Sequence, residues 1–438
     1  MIDALTTATY RGAMAAASAL LDVALRVRAV PAGWRAIGDR LGRLDAAGRA
    51  TASAGTAIWL HAASVGELVA ARPLLARLRE RFPERVYVVS TLTRTGRALA
   101  QDLPEVHLPL LFPLDAPAVV RRLLAQFRLE AFLFTETEIW PTFLAELRAA
   151  EIPAFMVSGR VSGRTMTRAR WLRPLYRRAL AGVTCCMQTA EDGERIIALG
   201  ADARRVHVAG SLKFDAAAAE PPAELGRLAA ALRGRTLVVA GSTHAGEEEA
   251  MLAAHRVLVG RHPDAVLLLA PRHPERLDAV AQLVEDAGFP LARYGAAVGA
   301  EAPAPALPPS AVLLLDRVGP LAHCYALGAV AFVGGSLVPA GGHNVLEPAR
   351  AGRPVVVGPH TEHAADVVDR LLAGGGAVRV ASASDLGATL AAILDEPARA
   401  ADMGRRARAL VESGRGAVER HLKIVTAGLS GTRFARAG

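Results

Sequence analysis

The segment WLHAASVGELVAARPLL starts at Trp59, closes an apolar run on a turn of small residues, and delivers Glu67 to the first turn of a helix. The helix dipole favours a carboxylate there, so Glu67 is expected to be ionised near neutral pH and able to accept a proton. A glutamate at that position can equally do no more than complement the dipole. A second set of acids, Glu136 and Glu138, follows the apolar run AFLF in FLFTETEIWP, ahead of a helix start at Trp140-Pro141. Acids clustered beyond a buried strand mark a functional cleft or the cap of the next helix. Lys213, in GSLKFD just past the strand RVHVAG, brings an ammonium that can offset negative charge on a substrate or in a transition state.

The second half carries its own polar residues at the ends of apolar runs. Pro271, Arg272 and His273 follow AVLLLA, and a guanidinium there suits a phosphate or carboxylate. FVGGSLVPAGGHNVLEPARAGRPVVVGP is the most specific stretch. Its run AVAFV enters Gly334-Gly335-Ser336, and Gly341-Gly342-His343-Asn344 is expected to open a helix carrying Glu347. Such glycines permit close backbone approach, helix N-terminal N–H groups bind phosphate, and Glu347 is placed to accept hydrogen bonds from ribose hydroxyls. The pattern is neither a G-x-G-x-x-G fingerprint nor a P-loop, which counts against dinucleotide oxidoreductases and NTPases.

Positioning these groups requires strands that end where they begin. TAIWLHA, VYVVST, AFLFTE, PAFMVS and VTCCMQ read as buried strands of the first half, and TLVVAGS, AVLLLAP, AVLLLD, AVAFVGG and PVVVGP of the second. Helical stretches such as ELVAARPLLARLRERF and EEEAMLAAHRVLVGR separate them, which predicts parallel sheets covered on both faces. The fold class is therefore α/β, with two doubly wound Rossmann-like domains expected to face a central cleft. The expected segments are a helical, membrane-associating 1–46, a first domain over 47–215, a second over 216–418, and a helix and tail over 419–438. The divide falls in KFDAAAAEPPAELG, and GAAVGAEAPAPALPPS reads as an exposed excursion within the second domain.

With 438 residues, 52% of them hydrophobic, the chain can build two cores, and a net charge of +9 suits an anionic partner or reflects an Arg-rich composition alone. Its three cysteines, Cys185, Cys186 and Cys324, have no metal-ligand spacing and read as buried thiols of a reduced protein. GAMAAASALLDVAL, between Arg11 and Arg26, is too short to span a bilayer and fits a secretory signal poorly. It predicts a helix that either lies on a membrane, with Arg26, Arg28 and Arg35 beside it, or packs on its own domain.

Taken in order, HAASVGE, TETEIWP, GSLKFD, GSTHAGEE, PRHPER and FVGGSLVPAGGHNVLEPA resemble the 3-deoxy-D-manno-octulosonic acid (Kdo) transferases of lipopolysaccharide biosynthesis over nearly the whole chain. The resemblance implies the two-domain GT-B glycosyltransferase architecture. It also implies transfer of Kdo from CMP-Kdo to a lipid A precursor at the cytoplasmic face of the inner membrane, with no cofactor and no required metal. It implies that Glu67 is the general base and that Glu136 and Lys213 support the transition state. CMP-binding positions fall on Pro271, Arg272, Val318, Gly319, Pro320, Asn344, Val345, Leu346 and Glu347. Two departures stand out. Asp316 to Leu321 replaces the family's usual D-T-M-G-E-L, so Pro320 stands where a glutamate is expected and has no backbone N–H to offer. VSGRVS, Val157 to Ser162, replaces the commoner ANARLS.

Between Glu151 and Glu191 there is no acid, while Arg160, Arg164, Arg168, Arg170, Arg173, Arg177 and Arg178 occur with Trp171 and Tyr176 among them. Arg170, Arg173, Arg177 and Arg178 suit lipid phosphates and an anionic membrane surface; a solvated basic helix is the alternative, and no nucleic-acid partner is expected. A nucleotide-sugar epimerase sharing the fold and a non-catalytic nucleotide-binding protein are the rival functions. The first leaves the basic first half without a purpose, and the second leaves Glu67, Glu136 and Lys213 without one.

Overall fold

The computed structural model describes residues 2–26, 38–163, 165–166, 172–215, 224–299 and 306–436. The chain divides into two compact units, one formed by Met1–Ala217 with Gly414–Gly438 and the other by Ala218–Ser413.

In the first unit seven strands form one parallel sheet: β1 (Thr56–His61), β2 (Val86–Thr91), β3 (Leu108–Leu111), β4 (Arg128–Thr135), β5 (Ala154–Gly159), β6 (Thr184–Met187) and β7 (Val206–Val208). Their spatial order is β3-β2-β1-β4-β5-β6-β7. Every residue of β2 and β5 is buried, as strands covered on both faces require. Side chains alternate across the sheet. Trp59, Phe132 and Phe134 meet Phe112 and Phe143 on one face, whereas Ile58, Leu60, Tyr87 and Leu133 point to the other. Val425 and Leu429, from the helix Ala417–Arg436, close that second face. The first unit is thus completed by the end of the chain, a return that the local sequence pattern does not announce. Asp215 fastens it, its carboxylate accepting the N–H groups of Gly416 at 2.7 Å and Val418 at 2.6 Å.

The second unit repeats the architecture with β8 (Leu237–Thr243), β9 (Val266–Pro271), β10 (Leu291–Arg293), β11 (Val312–Leu314), β12 (Val330–Val333), β13 (Val355–Val357) and β14 (Ala377–Arg379). The order is β10-β11-β9-β8-β12-β13-β14, again with every pairing parallel. The expected doubly wound α/β class is what the chain adopts. Of the expected exposed excursion, residues 300–305 lie outside the described residues. Its flanks are anchored by Ala297, Val298 and Leu307, which pack into the core beneath β9 and β11, while Ala296, Ala306, Pro308 and Pro309 between and beside them are exposed as expected. Cys185, Cys186 and Cys324 are buried free thiols, and burial pushes each up to about 12.

The helix Ile2–Arg26 docks on its own unit. Tyr10 Oη donates to Asp115 Oδ2 at 2.8 Å and Arg11 pairs with Glu146 at 2.8 Å. Asp115 also accepts the first free N–H groups of the helix Pro141–Ala149, from Thr142 at 2.9 Å and Phe143 at 2.7 Å. Burial nevertheless pushes its carboxyl up to about 6. Leu20 and Val23 remain 71% and 57% exposed, so docking leaves apolar surface on the outer side. Among the described residues no helix is long and apolar enough to cross a membrane.

Candidate active site and nucleotide site

The strand order of the first sheet reverses between β1 and β4, which pair directly, and loops leaving such neighbours diverge to open a binding crevice at the carboxyl edge. The residues singled out in sequence sit there. Ser64 caps the helix Val65–Arg81 and accepts the Glu67 N–H at 3.3 Å, while its hydroxyl donates to Glu67 Oε1 at 3.0 Å. Glu67 Oε2 accepts the Ala63 N–H at 3.0 Å and the Thr135 hydroxyl at 2.6 Å, which ties the β1 turn to the end of β4. All three donors to its carboxylate are neutral.

The electrostatics of Glu67 differ from the sequence expectation. Burial raises its pKa, and the charges of Glu136 and Glu138 add to the rise, outweighing the hydrogen bonds from Thr135 and Ala63. The helix dipole alone favours an ionised carboxylate, but removal from water and two like charges act the other way. For a proton acceptor this is an advantage, since a base works best when its pKa lies closer to the working pH.

Glu136 follows β4 with φ of 50°, a left-handed conformation that costs a non-glycine residue free energy. Its N–H donates to Val157 O at 3.1 Å, and its Oε1 accepts from Lys213 Nζ at 2.8 Å. Lys213 rides on the 3-10 turn Leu212–Asp215, anchored on either side by the buried side chains of Leu212 and Phe214. Glu138 Oε2 accepts from Trp140 Nε1 at 3.1 Å and lies 3.5 Å from Nε2 of His61, a fully buried ring on β1. The fold thus brings Glu67, Glu136, Glu138 and Lys213 to one edge. His61 belongs to the same cluster and escapes a sequence reading, since it ends an apolar run with nothing to distinguish it from a core residue.

In the second unit the order reverses between β8 and β12, and the glycine-rich loop follows β12. The N–H groups at its start are already engaged. Glu247, fully buried at the start of the helix Glu247–Arg261, accepts His244 N–H at 2.9 Å and Gly335 N–H at 2.7 Å on Oε2. Its Oε1 accepts Ser336 N–H at 3.0 Å and Leu337 N–H at 2.9 Å. The Gly335–Leu337 amides therefore hold an internal carboxylate rather than an exogenous phosphate. Gly334 must be glycine, because a Cβ there would lie 2.4 Å from Ser242 O and 2.8 Å from Glu247 Oε2.

Gly341 to Asn344 lead, as expected, into a helix that carries Glu347, a short one over Leu346–Arg350, and Asn344 Oδ1 accepts the Leu346 N–H at its start at 3.1 Å. Asn344 Nδ2 donates to Glu347 Oε1 at 3.0 Å. Burial raises the Glu347 pKa against that bond and against the positive charge of Arg350 and Arg272. Val345 and Leu346 are buried and can offer a ligand only backbone. Arg272 follows β9, its N–H donating to Thr243 O at 2.9 Å and its guanidinium exposed. Val318 is 86% exposed, and Gly319 has φ of +112°. Pro320, with φ of −66°, caps the short helix Leu321–Cys324, its carbonyl accepting from His323 and Cys324. That backbone suits proline, and the carboxylate that the family pattern leads one to expect there is missing.

A histidine pair completes this edge: the His244 and His343 rings stack 5.0 Å apart with their Nε2 atoms 2.7 Å from each other. Burial and the neighbouring His244 and Arg272 push His343 down to about 4, so at neutral pH its ring is uncharged. Among the described residues no group of three or more His, Cys, Asp or Glu could hold a metal ion.

Of the basic surface, Arg164, Arg168, Arg170 and Trp171 lie outside the described residues. The helix Arg173–Leu180 buries Leu175, Ala179 and Leu180 and exposes Arg173, Arg177 and Arg178 on its other face.

A family model described as 3-deoxy-D-manno-octulosonic-acid transferase (kdotransferase) matches residues 35–216. The chain is 38% identical to a 3-deoxy-D-manno-octulosonic acid transferase of Bordetella pertussis, over 87% of this chain and 89% of the relative. It is 31% identical to the enzyme of the same name from Haemophilus influenzae, over 84% and 86%. Among solved structures it is similar in fold to Staphylococcus aureus MnaA with UDP, at a TM-score of 0.56 and 12% identity over 86% of this chain and 97% of that one. UDP-GlcNAc 2-epimerase from Neisseria meningitidis with UDP-GlcNAc gives 0.53 and 11%, over 85% and 99%. At such identities these likenesses concern the two-unit fold alone, whereas the likeness to the Bordetella and Haemophilus enzymes extends through the sequence of most of the chain. The chain belongs to the 3-deoxy-D-manno-octulosonic acid transferase family of glycosyltransferases.

Proposed function

We propose that this glycosyltransferase moves Kdo from CMP-Kdo to a lipid A precursor of the lipid IVA type in lipopolysaccharide biosynthesis. Glu67 takes the proton of an acceptor hydroxyl. The hydroxyl oxygen forms a bond to the ketosidic carbon of Kdo, and the bond from that carbon to the phosphate oxygen breaks with its electron pair leaving on CMP. Lys213, held by Glu136, offsets negative charge that develops as that bond breaks. Arg272, Asn344 and Glu347 contact the nucleotide with the backbone of Pro271, Val318, Gly319, Pro320, Val345 and Leu346. The reaction needs no metal, and a chelator leaves the rate unchanged.

The acceptor is a lipid, so the enzyme works at the cytoplasmic face of the inner membrane, held there peripherally or by its N-terminal segment. The outer side of the helix Ile2–Arg26, with Leu20 and Val23 exposed, and the arginines of Arg173–Leu180 form the anionic-lipid surface. The observation that carries the proposal is Glu67, a half-buried carboxylate of raised pKa whose hydrogen-bond donors are all neutral. Incubation with CMP-Kdo and a tetra-acylated lipid A precursor, with product masses read out, tests it. A product heavier by Kdo units supports the proposal, and an unchanged acceptor under conditions where CMP binds contradicts it.

A further inference from the structure

Glu67, Glu136 and Glu138 crowd one edge of the first sheet, and like charges so close oppose one another's ionisation. Among the described residues Lys213 and His61 are the basic groups paired with this cluster. Lys213 lies 2.8 Å from Glu136 and neutralises it. Glu138 faces Nε2 of His61 at 3.5 Å, a charge contact rather than a short hydrogen bond.

The surroundings of that ring fix what it can hold. His61 Nδ1 lies 3.0 Å from the Ser90 carbonyl oxygen and 3.0 Å from the Ser90 hydroxyl. A carbonyl only accepts, so Nδ1 carries hydrogen. Nε2 is buried, has no hydrogen-bond partner, and faces a carboxylate. A bare lone pair 3.5 Å from a carboxylate oxygen, with no donor to satisfy it, is repulsive, so one proton belongs between Nε2 and Glu138. His421 makes the contrast: its Nδ1 also meets a carbonyl, Ala417 O at 2.7 Å, but its Nε2 accepts the Ser158 N–H at 2.9 Å, so that ring is satisfied while neutral. Stacking on Phe112, with centroids 4.0 Å apart, keeps the His61 ring in place.

We propose that His61 is a positioning residue that shares a proton with Glu138 and renders the pair neutral. With Glu136 neutralised by Lys213, Glu67 is then the one carboxylate of the three without a cationic partner, and the only one free to collect the acceptor proton. The inference rests on the reading of Glu67 as base.

His61→Asn keeps a donor for Ser90 O and removes Nε2. The uncompensated charge of Glu138 then raises Glu67 further, and the acid limb of the kcat/KM profile moves up by about one pH unit. At a fixed pH on that limb this is a loss of about tenfold, recovered on the plateau. Adding Glu138→Gln moves the limb back. A loss equal at every pH and not reversed by Glu138→Gln makes His61 a core residue only and overturns the proposal. If His61→Asn does not fold, 15N NMR of histidine-labelled wild-type and Glu138→Gln protein decides. The proposal requires Nε2 of His61 to be protonated or hydrogen-bonded in the wild type and to change in the variant; a bare Nε2 in both overturns it. An active Glu67→Gln enzyme would sink the reading of Glu67, whereas an inactive one beside an unmoved His61→Asn profile would sink only this inference.

Discussion

Glu247 is the most heavily used side chain of the second unit, and replacing it with glutamine tests how the loop after β12 is held. Four backbone N–H groups, from His244, Gly335, Ser336 and Leu337, converge on its two oxygens at 2.7 to 3.0 Å. Glutamine offers one oxygen. Its amide nitrogen then faces two of those donors, and neither way round satisfies both pairs. Each orphaned buried N–H costs about 1–3 kcal/mol, so the two together cost about 2–6 kcal/mol, a large fraction of a domain's stability. The chain offers a clean readout. Its four tryptophans, Trp34, Trp59, Trp140 and Trp171, all precede Ala218, and the two that lie among the described residues, Trp59 and Trp140, are in the first unit. In urea, tryptophan fluorescence therefore follows the first unit alone, and far-UV circular dichroism follows both. Glu247→Gln is expected to leave the fluorescence midpoint in place and to bring part of the dichroism transition to lower urea. If both probes match wild type to within about 1 kcal/mol, the carboxylate is not what holds the loop.

Arg272→Ala and Glu347→Ala are each expected to weaken CMP binding by about tenfold to a hundredfold, the loss of one charge-assisted hydrogen bond, read by calorimetry; unchanged affinity in both places the nucleotide elsewhere. Changing Arg173, Arg177 and Arg178 together to glutamine should weaken binding to anionic liposomes by about 1 kcal/mol per residue at low salt and raise the acceptor KM, with CMP affinity unchanged. Wild-type liposome binding would make these arginines a solvated face. Asp215→Ala uncaps the returning helix Ala417–Arg436 at a cost of about 1–2 kcal/mol. Hydrogen exchange in that helix should quicken; unchanged protection would show that Val425 and Leu429 hold it without the cap.

The central strands were legible because a strand buried on both faces must be apolar along its length, as in VYVVST and AVLLLAP. The strands absent from the sequence reading are β3, β10 and β14, all at sheet edges. Pro109 sits within β3, which only an edge tolerates, and β10 and β14 have three residues each, too few for periodicity. Glu67, Glu136 and Lys213 could be found because each follows an apolar run that stops abruptly. His61, Glu247 and Asp215 act through partners distant in the chain, and local pattern carries no trace of such pairings. The same holds within the Gly334 to Asn344 segment, where the amides of Gly335, Ser336 and Leu337 are filled by Glu247, a residue from the preceding β8 connection.

The central claim is that Glu67 removes the acceptor proton. The most direct measurement compares single-turnover Kdo transfer by Glu67→Gln and wild-type enzyme, at saturating CMP-Kdo and acceptor, across pH. Glutamine keeps the shape and can still accept from Thr135, but it cannot take a proton. General-base catalysis contributes about a hundredfold to ten-thousandfold, so the variant should lose at least that, with CMP binding intact and its residual rate no longer falling on the acid side. The wild-type rate should fall with acid at a pH above that of an ordinary glutamate, since burial raises the Glu67 pKa. A variant that transfers Kdo within a few fold of wild type, with the same acid limb, would contradict the account.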